Sequence, residues 1–389
     1  MQLSYHISSK SFIRILVITF AISFLLSFDL WGNDRTFPLF PILNLEINWI
    51  HKLVQYGFLI ITFTSIIFPK KELIKIFLFF LFFLIFLDQI RLQPWVYFIS
   101  LCLLPFALKI KETIALQYLR ILFIVAYVWS GFHKLNENFI VFVFESILVD
   151  GFNINSIHLI SSLKKLGYLI PIIEMSIGLM LLFKKTRKLG FIFLLTIHIF
   201  IIYYLVFGLR GNYVIIPWNV LMILASFFLF YSTESTIKIP HNVFLKILLL
   251  IVSLLPVGFL VGKIDQTLAF SLYDGKLKSL YLLEKNYKNT NNDIDETIIK
   301  KGHLKDFNGW SFHEMNVPFY PENRFIKQLK LSKKNRGKKF LITEMPLWKR
   351  NLLGTYKTKK ELKKYLLLDS IDNVVFTKGL YFPKFKILK

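Results

Sequence analysis

Polar and apolar positions in this chain alternate over stretches of about twenty residues. Nine apolar runs stand out: Phe12–Leu30, Trp49–Phe68, Leu73–Leu87, Trp95–Ile110, Leu119–Asn136, Gly167–Phe183, Leu189–Phe207, Tyr213–Tyr231 and Val243–Gly262. Each reaches or approaches the ~20 residues that carry an α-helix across the hydrocarbon core of a bilayer. The runs are continuous rather than alternating, which argues for helices and against a β-barrel. No small-residue cleavage signature follows the first run, so it reads as a retained helix rather than a removed signal peptide.

The breaks between runs are short and chemically distinct. Pro38 and Pro41 keep the first loop, Trp31–Asn48, out of helix. Pro69-Lys70-Lys71 stops the second run, and D-Q-I-R-L-Q-P-W separates the third from the fourth. Residues 137–166 are mixed, with Val141–Leu148 reading as an interfacial or re-entrant helix. Lys and Arg gather before run one and between runs two and three, four and five, and six and seven. The alternate loops hold Asp29, Asp34, Glu46, Asp88, Glu137, Glu145 and Asp150, with Lys164 and Lys165 as the main exception. Cytoplasmic loops carry the surplus of cations, so this bias predicts nine spans with the N-terminus inside. An odd count then puts the C-terminal segment on the outer side of a bacterial cytoplasmic membrane.

Composition strengthens this reading. The chain has 389 residues, is 55% hydrophobic and contains 42 Phe, more than one soluble core could bury. Its net charge of +24 would suggest nucleic acid in a soluble protein. Here much of the surplus has a simpler explanation in topogenic loops, and no nucleic-acid partner is expected. Cys102 is the only cysteine, so an internal disulfide and a cysteine metal site are excluded.

Residues 263–389 differ from the rest. They carry 27 Lys/Arg against 13 Asp/Glu and no spanning run. N-V-P-F-Y-P-E-N-R at 316–324 and K-K-F-L-I-T-E at 338–344 supply apolar clusters. Thr358–Leu368 has the pattern of an amphipathic helix, Val374–Phe376 reads as strand, and Asn286–Glu296 as a loose polar loop. The predicted architecture is an all-α polytopic membrane bundle, residues 1–262. A small basic α+β extramembrane domain, residues 263–389, follows it. That domain is either translocated, since long domains escape the charge rule, or cytoplasmic and held against anionic lipid.

Ionisable groups inside a membrane cost several kcal/mol unless paired or hydrated, so each is a candidate site. In the fifth run, Arg120, Ile124, Tyr127, Gly131 and Lys134 share one helix face, with His133 beside them. Lys134 either snorkels to the headgroups or points into a polar pocket, where desolvation would let it act as a base. Glu174 sits near mid-helix on a face with Gly167, Pro171 and Gly178, small residues that admit a close neighbour. Lys134 or His198 is its expected partner, and the alternative is a purely structural hydrogen bond. His198 shares a face with Gly190, Leu194 and Leu205, and a packing hydrogen bond is the ordinary role of a lone imidazole there. Asp88 and Arg91 are spaced to pair at a helix end. Asn212, Trp218 and Asn219 surround the start of run eight, and Asn219 is unusual inside a helix. No H-x-x-H or H-x-x-x-H pattern supports a metal site. Nucleotide-binding loops, G-x-S-x-G and H-E-x-x-H are absent, and no inverted repeat is visible.

S-G-F-H-K-L-N at 130–136 resembles the G-x-x-K-L segment shared by DoxX/MauE-type membrane proteins and the HTTM domain of vitamin K-dependent γ-carboxylases. I-P-I-I-E-M-S-I-G-L-M-L-L-F-K-K-T-R-K-L-G at 170–190 is similar to the Glu-bearing helix of the DoxX/MauE group. Arg14, the proline-bearing first loop and nine spans before an outer domain look more like HTTM. The resemblance spans roughly residues 10–262. It implies a base at Lys134 acting toward a reduced quinone, with His133 where the carboxylase motif has a second lysine. On this reading Tyr127, Glu174, His198, Asn219 and Arg120 line a pocket for a lipid-soluble small molecule of the quinone class, with redox-linked or carboxylase-like chemistry if the protein is an enzyme. A non-catalytic scaffold or partner subunit is the alternative from another class, and a transporter is a third.

Overall fold

The computed structural model describes residues 8–42, 48–209, 211–233, 235–275, 278–283, 304–331, 339–344 and 367–368. Among the described residues a helix lies within or across each apolar run: α1 Ser9–Leu26, α2 Asn48–Ile67, α3 Lys71–Leu87, α4 Pro94–Ala107, α5 Glu112–Lys134, α6 Leu169–Leu182, α7 Arg187–Tyr203, α8 Ile216–Ser226 and α9 Val243–Leu260. Local chemistry sets their ends. The Ser8 hydroxyl accepts from Ser11 N at the start of α1, and Asn242 Oδ1 accepts from Leu245 N at the start of α9. Pro94 opens α4 at a position where its missing N–H costs nothing. Arg14 donates from Nε to Ile66 O (3.1 Å) and from Nη2 to Ile67 O (3.2 Å), covering the last carbonyls of α2.

Among the described residues, seven continuous helical segments are long and apolar enough to cross a bilayer: Ser9–Leu26, Trp49–Ile67, Glu112–Lys134, His158–Leu182, Arg187–Gly208, Tyr213–Tyr231 and Val243–Leu260. Helices α3 and α4 are shorter, at 17 and 14 residues. The chain is a polytopic helical membrane protein. Large apolar side chains stand outward along the helices, among them Ile22, Ile60, Phe79, Ile199, Leu250 and Leu254, each at least 41% exposed. Soluble monomers do not display apolar surface on that scale, whereas lipid tails accommodate it.

The chain divides into two compact units. The first comprises residues 1–132, 169–272 and 315–317. Its interior holds an aromatic cluster in which Phe20 meets Trp31, Phe58, Phe77 and Trp95 with ring centroids 5.0–5.7 Å apart. The cluster joins α1 to α2, α3, α4 and the helical turn Phe28–Trp31. The Ser23 hydroxyl donates to Val214 O (2.8 Å), holding α1 to the entry of α8.

The second unit comprises residues 133–168, 273–314 and 318–389. The stretch expected to be interfacial or re-entrant forms helical turns over Phe139–Phe144 and Ile147–Gly151, with Phe139, Ile140, Phe144 and Leu148 buried. Among the described residues, four antiparallel strands, β1 Lys278–Leu283, β2 Leu304–Asp306, β3 Lys339–Glu344 and β4 Leu367–Leu368, form a sheet in the order β2-β1-β3-β4. Tyr281 pairs with Asp306 on one side and Leu341 on the other. Helices α10, Phe307–Met315, and α11, Asn323–Leu331, accompany it. The last two residues of the expected amphipathic helix Thr358–Leu368 are strand β4 instead, because Leu367 and Leu368 pair with Glu344 and Thr343. The rest of that helix, Val374–Phe376 and Asn286–Glu296 lie outside the described residues.

Candidate functional site

A chain of hydrogen bonds crosses three helices of the first unit. Tyr127 on α5, His198 on α7 and Asn219 on α8 are all buried. The Tyr127 hydroxyl lies 2.6 Å from His198 Nε2, and His198 Nδ1 lies 2.7 Å from Asn219 Oδ1. Asn219 Nδ2 in turn donates to Ile215 O, one turn back on its own chain (2.8 Å). That last bond fixes the others. A carbonyl only accepts, so the amide nitrogen must face Ile215 and the amide oxygen must face the ring. Nδ1 therefore carries the proton. In the neutral ring Nε2 is an acceptor, and the phenol donates to it. If His198 takes up a proton, Nε2 becomes a donor and the phenol proton is released toward another acceptor. The arrangement can thus hand a proton to, or take one from, a group placed at the Tyr127 oxygen.

Glu174 on α6 is half-buried and lies within electrostatic reach of the Tyr127 hydroxyl. The Ser226 hydroxyl on α8 is also close to that phenol, outside hydrogen-bonding geometry. What brings Glu174 here is the close crossing of α5 and α6. A methyl group on Gly131 would meet Met175 N at 2.4 Å and Pro171 O at 2.7 Å, and one on Gly178 would meet Val128 Cγ2 at 2.7 Å. The small-residue face expected around Glu174 therefore does admit a neighbouring helix, and that neighbour is α5.

His133 and Lys134 close α5, are buried, and belong to the second unit. The helix stops there because Asn136 turns the chain. Its Nδ2 donates to His133 O (2.7 Å) and Asp274 O (3.0 Å), while its Oδ1 accepts from Phe139 N (3.0 Å). Gly275, at φ +71°, lies so close to Asn138 that an added Cβ would sit 2.4 Å from its carbonyl carbon. The K-L-N end of the motif is thus a pinned helix stop.

Arg120, grouped by spacing with Tyr127, serves a different neighbourhood. It lies two turns, about 10 Å, before Tyr127 along α5. Its Nε donates to Leu229 O (2.8 Å), Nη1 to Ser235 Oγ (2.6 Å) and Nη2 to Thr233 Oγ1 (3.3 Å). Arg187, which a reading of K-K-T-R-K as a topogenic run passes over, is buried beside it. The expected Asp88–Arg91 pairing is also redistributed. Asp88 forms its ion pair with Arg35 from the first loop and accepts from Phe40 N (3.0 Å). Arg91 donates to three carbonyls, Leu30, Leu84 and Gly32, at 2.8–3.2 Å. Burial draws the Arg91 guanidinium down to about 9, against the pull of Asp88, and it stays charged at neutral pH. Spacing could not find Arg35, which is 53 residues from Asp88. A buried carboxylate's need for a cation was the available signal. Among the described residues, no three His, Cys, Asp or Glu side chains are grouped so as to hold a metal.

Neither the curated proteins nor the solved structures contain a match to this chain. Residues 112–217 match the family model described as methylamine utilisation protein MauE. That stretch runs from the first residue of α5 to the second of α8. It includes Arg120, Tyr127, His133, Lys134, Glu174 and His198, and it ends two residues before Asn219. Across α5, α6, α7 and the first two residues of α8 the chain is similar to an integral membrane family.

Proposed function

We propose that this protein binds the polar head of a lipid-soluble small molecule, of the quinone class, at the Tyr127–His198–Asn219 relay within the membrane. The observation that carries this reading is the relay itself, a buried and directed chain of proton donors and acceptors that ends on a phenol beside a carboxylate. Purely structural polar contacts between membrane helices need no such direction. Quinone chemistry couples electron movement to protonation of the ring oxygens, and a Tyr–His pair poised between two proton positions suits it. Lys134, two turns beyond Tyr127 on the same helix, is the candidate base, as the S-G-F-H-K-L-N likeness to the HTTM domain implies. On the charge pattern, nine spans place the N-terminus in the cytoplasm and residues 263–389 outside a bacterial cytoplasmic membrane.

The test is a binding titration on the full chain in lipid nanodiscs, using a short-chain quinone and its quinol and following quenching of tryptophan emission. Saturable binding is expected, weakened about tenfold or more in His198→Ala, Glu174→Gln and Lys134→Ala, the cost of one charge-assisted hydrogen bond. If all three variants fold and bind as the wild type does, the reading fails. If the wild type itself shows no saturable binding, the non-catalytic partner subunit takes its place.

A further inference from the structure

The geometry points to a second site, for a phosphate-class anion, where Arg120 and Arg187 converge on the link between α8 and α9. Both residues are more than nine-tenths buried, at 6% and 2% residual exposure, with their outer guanidinium contacts only part-buried. Both reach Ser235, Arg120 from Nη1 to its Oγ (2.6 Å) and Arg187 from Nη1 to its backbone O (2.9 Å). Among the described residues neither has a carboxylate partner. Arg120 uses its three nitrogens on Leu229 O, Thr233 Oγ1 and Ser235 Oγ. Arg187 donates from Nε to Leu181 O (3.1 Å) and from Nη1 to Ser235 O (2.9 Å). Its Nη2 makes no hydrogen bond among the described residues and is not sealed from solvent.

Two like charges held together in a low-dielectric site repel each other, and neutral acceptors offset only part of that cost. An anion would cancel it. The groups present suit a tetrahedral oxyanion: two planar forks with N–H groups to spare and the Thr233–Ser235 hydroxyl pair, 3.1 Å apart, which has one proton left to donate. The surroundings agree. Lys184, Lys185 and Lys188 flank Arg187 in sequence, and Lys184 and Lys185 are exposed, whereas Arg187 alone is turned inward. A run that served only to set topology would leave all four cations in the headgroup region. The phosphate can come from a lipid headgroup or from solution, and the chemistry at the arginines is the same. This site shares no residue with the relay and stands or falls separately from it.

The experiment uses the purified full chain in a neutral detergent, at constant ionic strength. Its thermal midpoint is followed while phosphatidylglycerol, phosphatidylcholine or inorganic phosphate is added, and retained lipid is counted by native mass spectrometry. Phosphatidylglycerol is expected to raise the midpoint by several degrees once it exceeds its Kd about 100-fold, and phosphatidylcholine to leave it unchanged. A matching rise with inorganic phosphate would identify the soluble anion as the ligand. Arg187→Gln and Arg120→Gln should each weaken the effect at least tenfold, and Lys184→Gln with Lys185→Gln should not. Glu234→Gln, which removes the acid next in sequence to Thr233, should leave the effect or strengthen it. No shift with either probe in the wild type overturns the proposal, whether or not the arginine variants fold. So does a shift that survives both arginine changes but vanishes with the surface lysines.

Discussion

His198 Nδ1 lies 2.7 Å from Asn219 Oδ1, and this contact decides which ring nitrogen holds the proton. The rest of the relay inherits its direction from that choice, since the phenol can donate only to the nitrogen left bare.

Replacing Asn219 with Leu should release that constraint. The Nδ1 proton loses its acceptor in a buried site, at a cost of about 1–3 kcal/mol. The tautomer should become mixed, and this is readable from nitrogen chemical shifts of selectively labelled histidine. A ring that keeps its single tautomer in Asn219→Leu would show that the amide does not set the direction.

The crossing of α5 and α6 depends on two missing side chains. Gly131→Ala should destabilise by about 1–3 kcal/mol, because the new methyl meets the backbone of Met175 and Pro171, which cannot swing aside. Gly57→Ala, in α2, is the control. Nothing lies within 4 Å of the added carbon, and helix propensity alone should make that change neutral to about 1 kcal/mol stabilising. Thermal unfolding in detergent, followed by far-ultraviolet circular dichroism, should rank Gly57→Ala above the wild type and Gly131→Ala below it.

Asp88→Asn should be more harmful than its size suggests. It leaves the buried Arg35 guanidinium without its carboxylate, a loss of about 3–5 kcal/mol for a single partner. The double change Arg35→Met with Asp88→Leu removes both charges and should cost less than Asp88→Asn alone. A double variant whose loss equals the sum of the Arg35→Met and Asp88→Leu losses would mean that the pair is not coupled.

Tyr281 supplies a pH dependence in the second unit. Burial, and the Asp306 carboxylate paired across the sheet, hold its phenol above the ordinary value near 10. A weak acid held protonated by the fold contributes in full below that value, and its contribution is lost as pH rises past it. The wild type should therefore soften above pH ~10, and Tyr281→Phe should flatten that decline. An unchanged alkaline slope in Tyr281→Phe would place the titration elsewhere.

The membrane helices were legible because their signal is long and redundant. Losing a residue from a run such as Val243–Leu260 barely changes its reading. Gly131 and Gly178 were legible as small faces, though only the fold shows that they meet each other's helices. The relay was half visible. Tyr127, His198 and Asn219 each stand out as polar groups in apolar helices, but their union depends on three helices meeting at one depth. Arg187 was hidden because a cation in a cationic loop already has a sufficient explanation. Strand β4 and the end of a helix look alike in sequence because Leu367 and Leu368 suit either periodicity, and pairing with distant β3 decides between them.

Arg14 carries a consequence for biogenesis. Its guanidinium on α1 closes the final carbonyls of α2, so the end of α2 is finished only when α1 is in place beside it. The first two helices should therefore leave the translocon as a hairpin, with α1 waiting for its partner. Stalled nascent chains cut off before Ile66 should keep α1 crosslinked to the insertion machinery, and chains extended past Phe68 should release it. Release of α1 at equal lengths in Arg14→Leu and in the wild type would break that link.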